Sequence, residues 1–319
     1  SADARAGATA YASIDTGIAQ VSSGSVSGDA TLTNSATLSI TADALAHVTG
    51  VEAVASNAFS ATAYVGAGAV ADINLGIGQT ASGPDAGALL TNASTGVLNI
   101  TATADALATS ATASALSASS GDAQVAVFAR ASVGTGIAQS ASAATADATV
   151  NNSGTINITA HANAAGTDTL AVLGEGVAGS ASASAYALGD IQCGIRQSVG
   201  ANLATATLTN TGSINITAVG DASIDGGTAY GAAWIGGFGT GAGISQSVNG
   251  GLEGTATITN SATHSITISA TANADGDNVS ALAIAMGIHQ DVSAEDALAS
   301  INNLENRNSL SVGQKLIIP

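Results

Sequence analysis

The sequence predicts an all-β fold, a β-solenoid or flattened β-helix of six tandem repeats of about 44–60 residues, with coils that taper toward the C-terminus. A Gly-Ile-x-Gln tetrapeptide occurs six times in order, which is the signature of a repeat architecture. Small apolar and hydroxyl residues alternate at period two between the copies, as they do in strands. Most side chains are too small to fill a thick interior, so apolar burial must come from thin layers in which backbones approach closely.

The tetrapeptide marks a corner of constant sequence, and an asparagine follows its glutamine 13 or 14 residues later. When successive repeats stack, like amides lie above one another, bond along the stack axis and satisfy buried polar groups. We therefore expect two structural amide ladders. The glutamine ladder comprises Gln20, Gln79, Gln139, Gln197, Gln246 and Gln290, and the asparagine ladder comprises Asn34, Asn92, Asn152, Asn210, Asn260 and Asn303.

Each repeat also contains an arm of variable length. The shortening of the later repeats falls between the corner and the next repeat start, so the arm alone changes. An outbound strand such as 99–112 and a returning strand such as 122–137 would make a flattened coil. The whole chain, 1–319, is thus predicted to be a single β-solenoid domain. The repeats start near residues 17, 76, 136, 194, 243 and 287.

Two other secondary structures compete with the solenoid. Alanine is the best helix former, but serine and threonine fill the alternate positions, as in 205–209 and 255–259, and helical i, i+4 stripes are missing. This pattern rejects an alanine-rich helix. An up-and-down antiparallel meander with several strands per repeat fits the periods less naturally and remains an alternative.

Charge and cysteine content exclude several classes of function. Five basic residues against 22 acidic ones give a net charge of −17, and the basic residues are scattered, so a nucleic-acid partner is not expected. No stretch has the bulky apolar residues of a membrane span, and membrane insertion is not expected either. The single cysteine, Cys193, permits no intrachain disulfide.

The sequence offers little catalytic or metal-binding chemistry. Its four histidines, at 47, 161, 264 and 289, stand at unrelated repeat positions, and no cluster of carboxylates accompanies a basic residue. We expect no enzyme activity, no catalytic residue, no metal site and no cofactor. Calcium at Asp225-Gly226-Gly227 or at 275–278 is an alternative, although turns are favoured there. The Gly-x-Gly-x-x-Gly match at 174–179 is also predicted to be a turn, because a strand pattern follows it.

Tyr230, Trp234 and Phe238 are the main local concentration of aromatic residues. We expect them to fill the interior of one arm. A sugar-stacking platform is the alternative interpretation.

The chain ends predict an assembly. Residues 1–16 match a returning strand without its outbound half, and 313–319 form an outbound tail strand without a return. Uncapped solenoid ends expose unpaired strand edges, so we expect head-to-tail homopolymerisation through a split repeat. The expected interface comprises Ala2, Ala4, Ala6, Tyr11, Leu310, Val312, Leu316, Ile317 and Ile318. The alternative is that these are the limits of a fragment of a longer protein.

The string at 148–160, Ala-Thr-Val-Asn-Asn-Ser-Gly-Thr-Ile-Asn-Ile-Thr-Ala, resembles repeats of bacterial surface adhesins, including haemagglutinin-like and autotransporter passenger β-solenoids. The amide ladders also resemble those of curlin-type fibre subunits. Both resemblances imply secretion, an extracellular or bacterial cell-surface location, and a role in adhesion or biofilm matrix.

A second resemblance lies at the C-terminus. Asn303-Leu304 and the run at 310–319 are similar to the closing half of a LysM peptidoglycan-binding module. Residues 287–312 also align on the preceding repeat, 243–268, without a gap. We therefore favour a degenerate last repeat whose LysM-like first half is missing.

These observations predict a structural function. The leading expectation is a subunit of a bacterial extracellular filament whose partner is a second copy of the chain. The first alternative is an adhesin stalk or passenger domain that binds host or matrix glycans. The second is an ice-binding solenoid, because Thr-x-Thr runs such as Thr31-Leu32-Thr33 form regular arrays, although Leu89 and Asn151 interrupt them.

Overall fold

A computed structural model describes residues 1–116, 118–236 and 241–293, and within these ranges the chain forms strands and no helix. The strands are β1 (Ala2–Ser23), β2 (Ser27–Asn34), β3 (Thr37–Thr49), β4 (Glu52–Ser56), β5 (Ser60–Ser82), β6 (Asp85–Asn92), β7 (Val97–Thr109), β8 (Thr112–Leu116), β9 (Ser120–Ser142), β10 (Thr145–Asn152), β11 (Thr155–Thr167), β12 (Leu170–Leu173), β13 (Ala178–Asn210), β14 (Ser213–Ile224), β15 (Thr228–Ile235), β16 (Ile244–Asn260), β17 (Ser265–Asp275), β18 (Asn278–Ala285) and β19 (Ile288–Ser293).

Every strand pair in these ranges is parallel, and each joins equivalent segments of successive turns. Gln20 lies beside Gln79, which lies beside Gln139, and the same alignment continues through the later turns. Parallel pairing in register is the pattern of a coil that stacks on itself. The predicted all-β, solenoid-type fold is confirmed, and the antiparallel meander is excluded.

One turn of the coil has a long side and a segmented side. After β5 the chain reverses at Gly83, whose φ of 151° suits glycine, and continues through β6, β7 and β8. These three strands of the segmented side pack against β5. The outbound strand predicted at 99–112 corresponds to β7 with the start of β8. The returning strand predicted at 122–137 lies inside β9.

The interior between the two sides is thin and rich in alanine. Ala102, Ala104, Ala106 and Ala108 of β7 face inward and are fully buried, while the residues between them face outward. Alanine permits the two sides to approach closely, and isoleucines such as Ile158 fill the wider part near the corner. A smaller cluster lies between the ends of the long strands and the strands β6 and β10.

The arms shorten toward the C-terminus because the small sheet at their tips does not continue beyond the first turns. The short strands β4, β8 and β12 form a three-stranded sheet at the arm tips of the first turns. After β14 the chain passes directly through a turn at 225–227 to β15. Gly226 has a φ of 66° in this turn, and Gly176 has a φ of 77° in the turn that precedes β13. The glycine-rich match at 174–179 is therefore a turn, followed by a strand.

The aromatic residues do not fill an arm, which corrects the expectation for Tyr230 and Trp234. Tyr230 is half-buried on the outer face of β15, while its neighbour Ala229 faces inward. Its ring stacks on that of Tyr186, with centroids 5.0 Å apart, and Tyr186 stacks on Phe128 at 5.5 Å. Trp234 is also half-buried, and Phe238 lies outside the described residues. Because the alanine interior is thin, large rings fit only on the outer face.

Candidate functional site

The six glutamines of the Gly-Ile-x-Gln corners form one continuous chain of amide hydrogen bonds. Gln79 Nε2 donates to Gln20 Oε1 at 2.8 Å, and the same bond joins each later neighbour at 2.6–2.9 Å. In every pair the glutamine of the later turn donates to that of the earlier turn. The ladder therefore has a direction.

Interior glutamines are fully satisfied. Gln139 Nε2 donates to Gln79 Oε1, to the carbonyl of Ala88 at 3.1 Å and to the carbonyl of Thr149 at 2.8 Å. Its Oε1 accepts from Gln197. The amide thus ties the long strand β9 to the strands β6 and β10.

The asparagine ladder runs in the opposite direction. Asn34 Nδ2 donates to Asn92 Oδ1 at 2.9 Å, so here the earlier turn donates to the later one, and the series continues to Asn260. Each amide also bonds to carbonyls of the corner, as Asn152 does to Gly154 at 3.2 Å and to Ser213 at 3.0 Å. Asn303, the last member predicted, lies outside the described residues.

A third, outward-facing ladder was missed by the sequence reasoning. Asn157 donates to Asn99 at 2.8 Å, and Asn215 donates to Asn157 at 2.9 Å, along the outer face of the five-stranded sheet. The signal was present in the sequence, since asparagine recurs between the two aliphatic residues before the corner threonine in these three repeats. The spacing of these asparagines predicts that they stack on one another, but it does not tell which face of the sheet they occupy.

The threonine array expected from the Thr-x-Thr runs also lies on an outer face. A column of the stack is one position repeated in successive turns. One column contains, in order, Thr33, Thr91, Asn151, Thr209 and Thr259. In the column two residues earlier on the same strands, Leu89 lies between Thr31 and Thr149. The array is therefore regular in spacing and mixed in chemistry.

The first turn of the coil presents an open edge. Among the described residues, β1 to β4 each pair on one side only, with the strands of the second turn. Of the expected interface residues, Ala2, Ala4 and Ala6 are half-buried on β1, and Tyr11 is 69% exposed. The others, from Leu310 to Ile318, lie outside the described residues.

The last described turn presents the opposite edge. The strand β18 pairs only with β15, and β19 pairs only with β16, in the part of the chain that the structure describes. Ile288 on β19 is 53% exposed, whereas Ile244, its neighbour in the same column, is fully buried. Among the described residues, the interior is therefore open at this end.

Burial shifts the pKa of a few titratable groups in the described ranges. Burial raises the pKa of the Asp190 carboxyl, and the Arg130 guanidinium opposes this shift. Burial also raises the pKa of the Cys193 thiol, which favours its less nucleophilic protonated form. His161 lies 3.3 Å from Asp221 beside a shallow groove of about 260 Å³. Within the described ranges no three His, Cys, Asp or Glu side chains gather at metal-binding distance.

Comparison with known families gives one match, to the LysM domain, at residues 275–319. LysM is a cell-wall, peptidoglycan-binding module, of the kind found typically in extracellular or cell-surface proteins. The match begins upstream of Gly287, so the expectation that the first half of the module is missing is wrong. It takes in β18 and β19, which stack on the solenoid.

No curated protein and no solved structure matches the chain significantly. The resemblance to surface adhesins therefore has no matching relative behind it, and a cell-surface role is supported by the LysM match alone. The described part of the chain contains no helix suited to crossing a membrane.

Proposed function

We propose that the chain is a structural subunit of an extracellular filament that assembles head to tail at the cell surface. The open edge of the first turn is the observation that carries this function. An unpaired parallel edge offers a row of N–H and C=O groups to another chain. The strand β1 runs for 22 residues without proline, a residue that would interrupt such pairing.

The proportions of the solenoid support stacking. Six stacked glutamines at about 4.8 Å per step give a coil roughly 25 Å high, whereas the 23 residues of β5 extend roughly 75 Å. A single coil is therefore wider than it is tall, which suits a stalk poorly. Copies stacked along the axis make a filament in which each copy adds its own height.

The LysM match supports a second component of this function, the binding of peptidoglycan- or chitin-type glycans through residues 275–319. Such binding holds a secreted filament, or an adhesin stalk that consists of the same chain, at the cell wall.

Assembly is tested by light scattering against concentration, with negative-stain electron microscopy of the same samples. We expect filaments with a subunit repeat near the coil height of roughly 25–30 Å. Protein that stays monodisperse and monomeric at high concentration would show that the filament proposal is wrong.

Glycan binding is tested by sedimentation with insoluble peptidoglycan and chitin, with cellulose as the control polymer. The full chain is expected to sediment with the first two, and soluble chitin fragments are expected to release it. A variant that ends at Ser293 keeps every described strand and lacks the rest of the matched segment. We expect it to stay in the supernatant, and equal sedimentation of both chains would contradict this assignment.

Ice binding is a second candidate, favoured by the threonine column on β2, β6, β13 and β16. Regularly spaced hydroxyl and methyl groups suit an ordered water layer. The measurement is thermal hysteresis of the purified chain, compared with Thr209→Lys. A hysteresis that the lysine variant lacks would favour this candidate, and its absence in the parent chain would eliminate it.

A further inference from the structure

The two ends of the glutamine ladder carry complementary hydrogen-bonding groups. At the first turn, Gln20 Oε1 accepts from Gln79, and its Nε2 donates to the carbonyl of Thr31 at 2.8 Å. In the described residues no glutamine precedes it to accept the bond that Gln79 and Gln139 give to their predecessors. At the last described turn, Gln290 Nε2 donates to Gln246, and its Oε1 receives no bond in these ranges. One end therefore offers a donor and the other an acceptor.

The strand registers extend this complementarity along two segments of β1. Following the columns from turn to turn, β18 stands in the columns of residues 7–14 and β19 in those of residues 18–23. The last described turn of one copy can thus lie on β1 of another with each of these columns continued by one residue.

The apolar columns are open at both ends in the same places. Val279 and Val292 are 56% and 45% exposed, although the residues before them in the stack, Ala229 and Val248, are buried. Ile288 belongs to the same column as Ile18, which is half-buried on β1. Docking in register covers Val279 with Ala8 and Ile288 with Ile18, and it places Val292 on Ser22.

We infer that the edge formed by β18 and β19 of one copy docks in register on β1 of a second copy, with Gln290 Oε1 accepting from Gln20 Nε2. This inference rests on the proposed head-to-tail assembly and specifies its interface. The direction of the ladder also disfavours a contact that brings Gln20 against Gln20 or Gln290 against Gln290 of a second copy, because donor would face donor or acceptor would face acceptor. The contact is heterologous, because each copy contributes a different edge. It does not close into a ring, so further copies add along the stack axis.

Disulfide trapping tests the register. Val21 and Asp291 are exposed and share one column of the stack. In the proposed contact, the double variant Val21→Cys with Asp291→Cys therefore has its two cysteine Cα atoms about 4.8 Å apart, within disulfide reach. Within one copy the two positions are separated by five steps of the stack and cannot bond. The matched control, Ser23→Cys with Asp291→Cys, is two residues out of register, about 8 Å apart and beyond disulfide reach.

We expect mild oxidation to give a ladder of covalent oligomers with the in-register pair, reversible by reductant, and at least tenfold less with the control pair. Filaments that form without this difference would overturn the interface while leaving the filament proposal intact. Absence of filaments from the parent chain would overturn both.

A second variant tests the amide contact itself. Gln20→Glu keeps an acceptor for Gln79 and replaces the outward donor with a carboxylate that repels Gln290 Oε1 at neutral pH. We expect the concentration required for assembly to rise at least tenfold and to recover near pH 3, where the carboxyl group is protonated and donates again. Gln20→Asn, which retains an amide, is the control, and circular dichroism checks folding. Equal assembly of Gln20→Glu and the parent chain would contradict the inference.

Discussion

Buried amides bind one turn of this coil to the next because each has several partners. Gln139 is almost fully buried and serves two neighbouring glutamines and two carbonyls. Gln139→Leu keeps the volume but leaves these groups without their bonds, so we expect a loss of about 2–4 kcal/mol in the free energy of unfolding. Urea denaturation followed by circular dichroism measures it.

Gln20→Leu is the matched control for this prediction. Gln20 lies at the end of the ladder, is less buried, and has one glutamine neighbour among the described residues. Its loss should be no more than about 1.5 kcal/mol, the net value of an ordinary hydrogen bond. Equal losses for the two variants would show that the ladder adds nothing beyond local bonds.

The glycine of the corner tetrapeptide is required by close packing. A Cβ added at Gly136 would lie 2.6 Å from Ile158 Cδ1 and 2.7 Å from the carbonyl oxygen of Gly194, whereas one added at Gly200 meets nothing within 4 Å. We expect Gly136→Ala to reduce the free energy of unfolding by about 1–3 kcal/mol. Gly200→Ala should change it by less than about 0.5 kcal/mol. Similar melting temperatures for the two variants would contradict this packing argument.

Asp190 makes the stability of the fold depend on pH. Burial raises the pKa of its carboxyl above the ordinary 3.8, so the unfolded chain releases this proton at lower pH than the folded chain does. Stability is then lost as pH rises from about 4 through the folded pKa. We expect Asp190→Asn to unfold at a higher temperature than the parent chain at neutral pH, and at the same temperature near pH 3. A constant difference at both pH values would exclude this cause.

At the scale of residues, sequence reasoning identifies what repeats but not which way it faces. The two inner ladders follow from exact recurrence of Gln and Asn. The aromatic stack does not follow, because Gly231, Ala232 and Ala233 are all buried and interrupt the alternation beside Tyr230. Where successive small residues break the period of two, the face of a large neighbour cannot be read from its position.

At the scale of strands, the arm is a pair of layers separated mainly by alanine side chains. Ala162 of β11 faces this interior and is fully buried, while His161 faces outward. We expect Ala162→Leu to force the layers apart and to reduce the free energy of unfolding by about 1–3 kcal/mol, and His161→Leu to have little effect. Denaturation curves of the two variants measure the difference. A tolerated leucine at 162 would mean that the layers are not in contact there.

The order of corner, arm and return could be predicted from the sequence, because the recurring residues of each segment have a characteristic spacing. The residues at which strands begin and end could not be predicted. The strand β13 runs unbroken through 33 residues, past the place where β9 and β10 are separated by a turn. The pairing with β16 shifts register between Ala201 and Leu203, which is an irregularity that local sequence does not report.

At the scale of the whole molecule, net charge opposes assembly. Each copy carries −17, so stacked copies repel one another. Raising the ionic strength from about 0.01 to about 0.15 M shortens the Debye length from roughly 30 to 8 Å. We expect sodium chloride over this range to increase light scattering at fixed protein concentration. Dissociation by salt would instead indicate that ion pairs, rather than amide and apolar contacts, hold the copies together.

The parallel registers also determine how the coil responds to a pull along its axis. The hydrogen bonds between strands all point along that axis, so a pull along it acts on every turn of the coil. The turn at the end of the coil has a neighbour on one side only and opens first. The turn from Gln79 to Gln139 spans 60 residues and lengthens by roughly 200 Å when extended. Its neighbours stay folded, because each turn contacts only the next. A cell-surface fibre made of such coils would yield in discrete steps and dissipate mechanical work before it breaks.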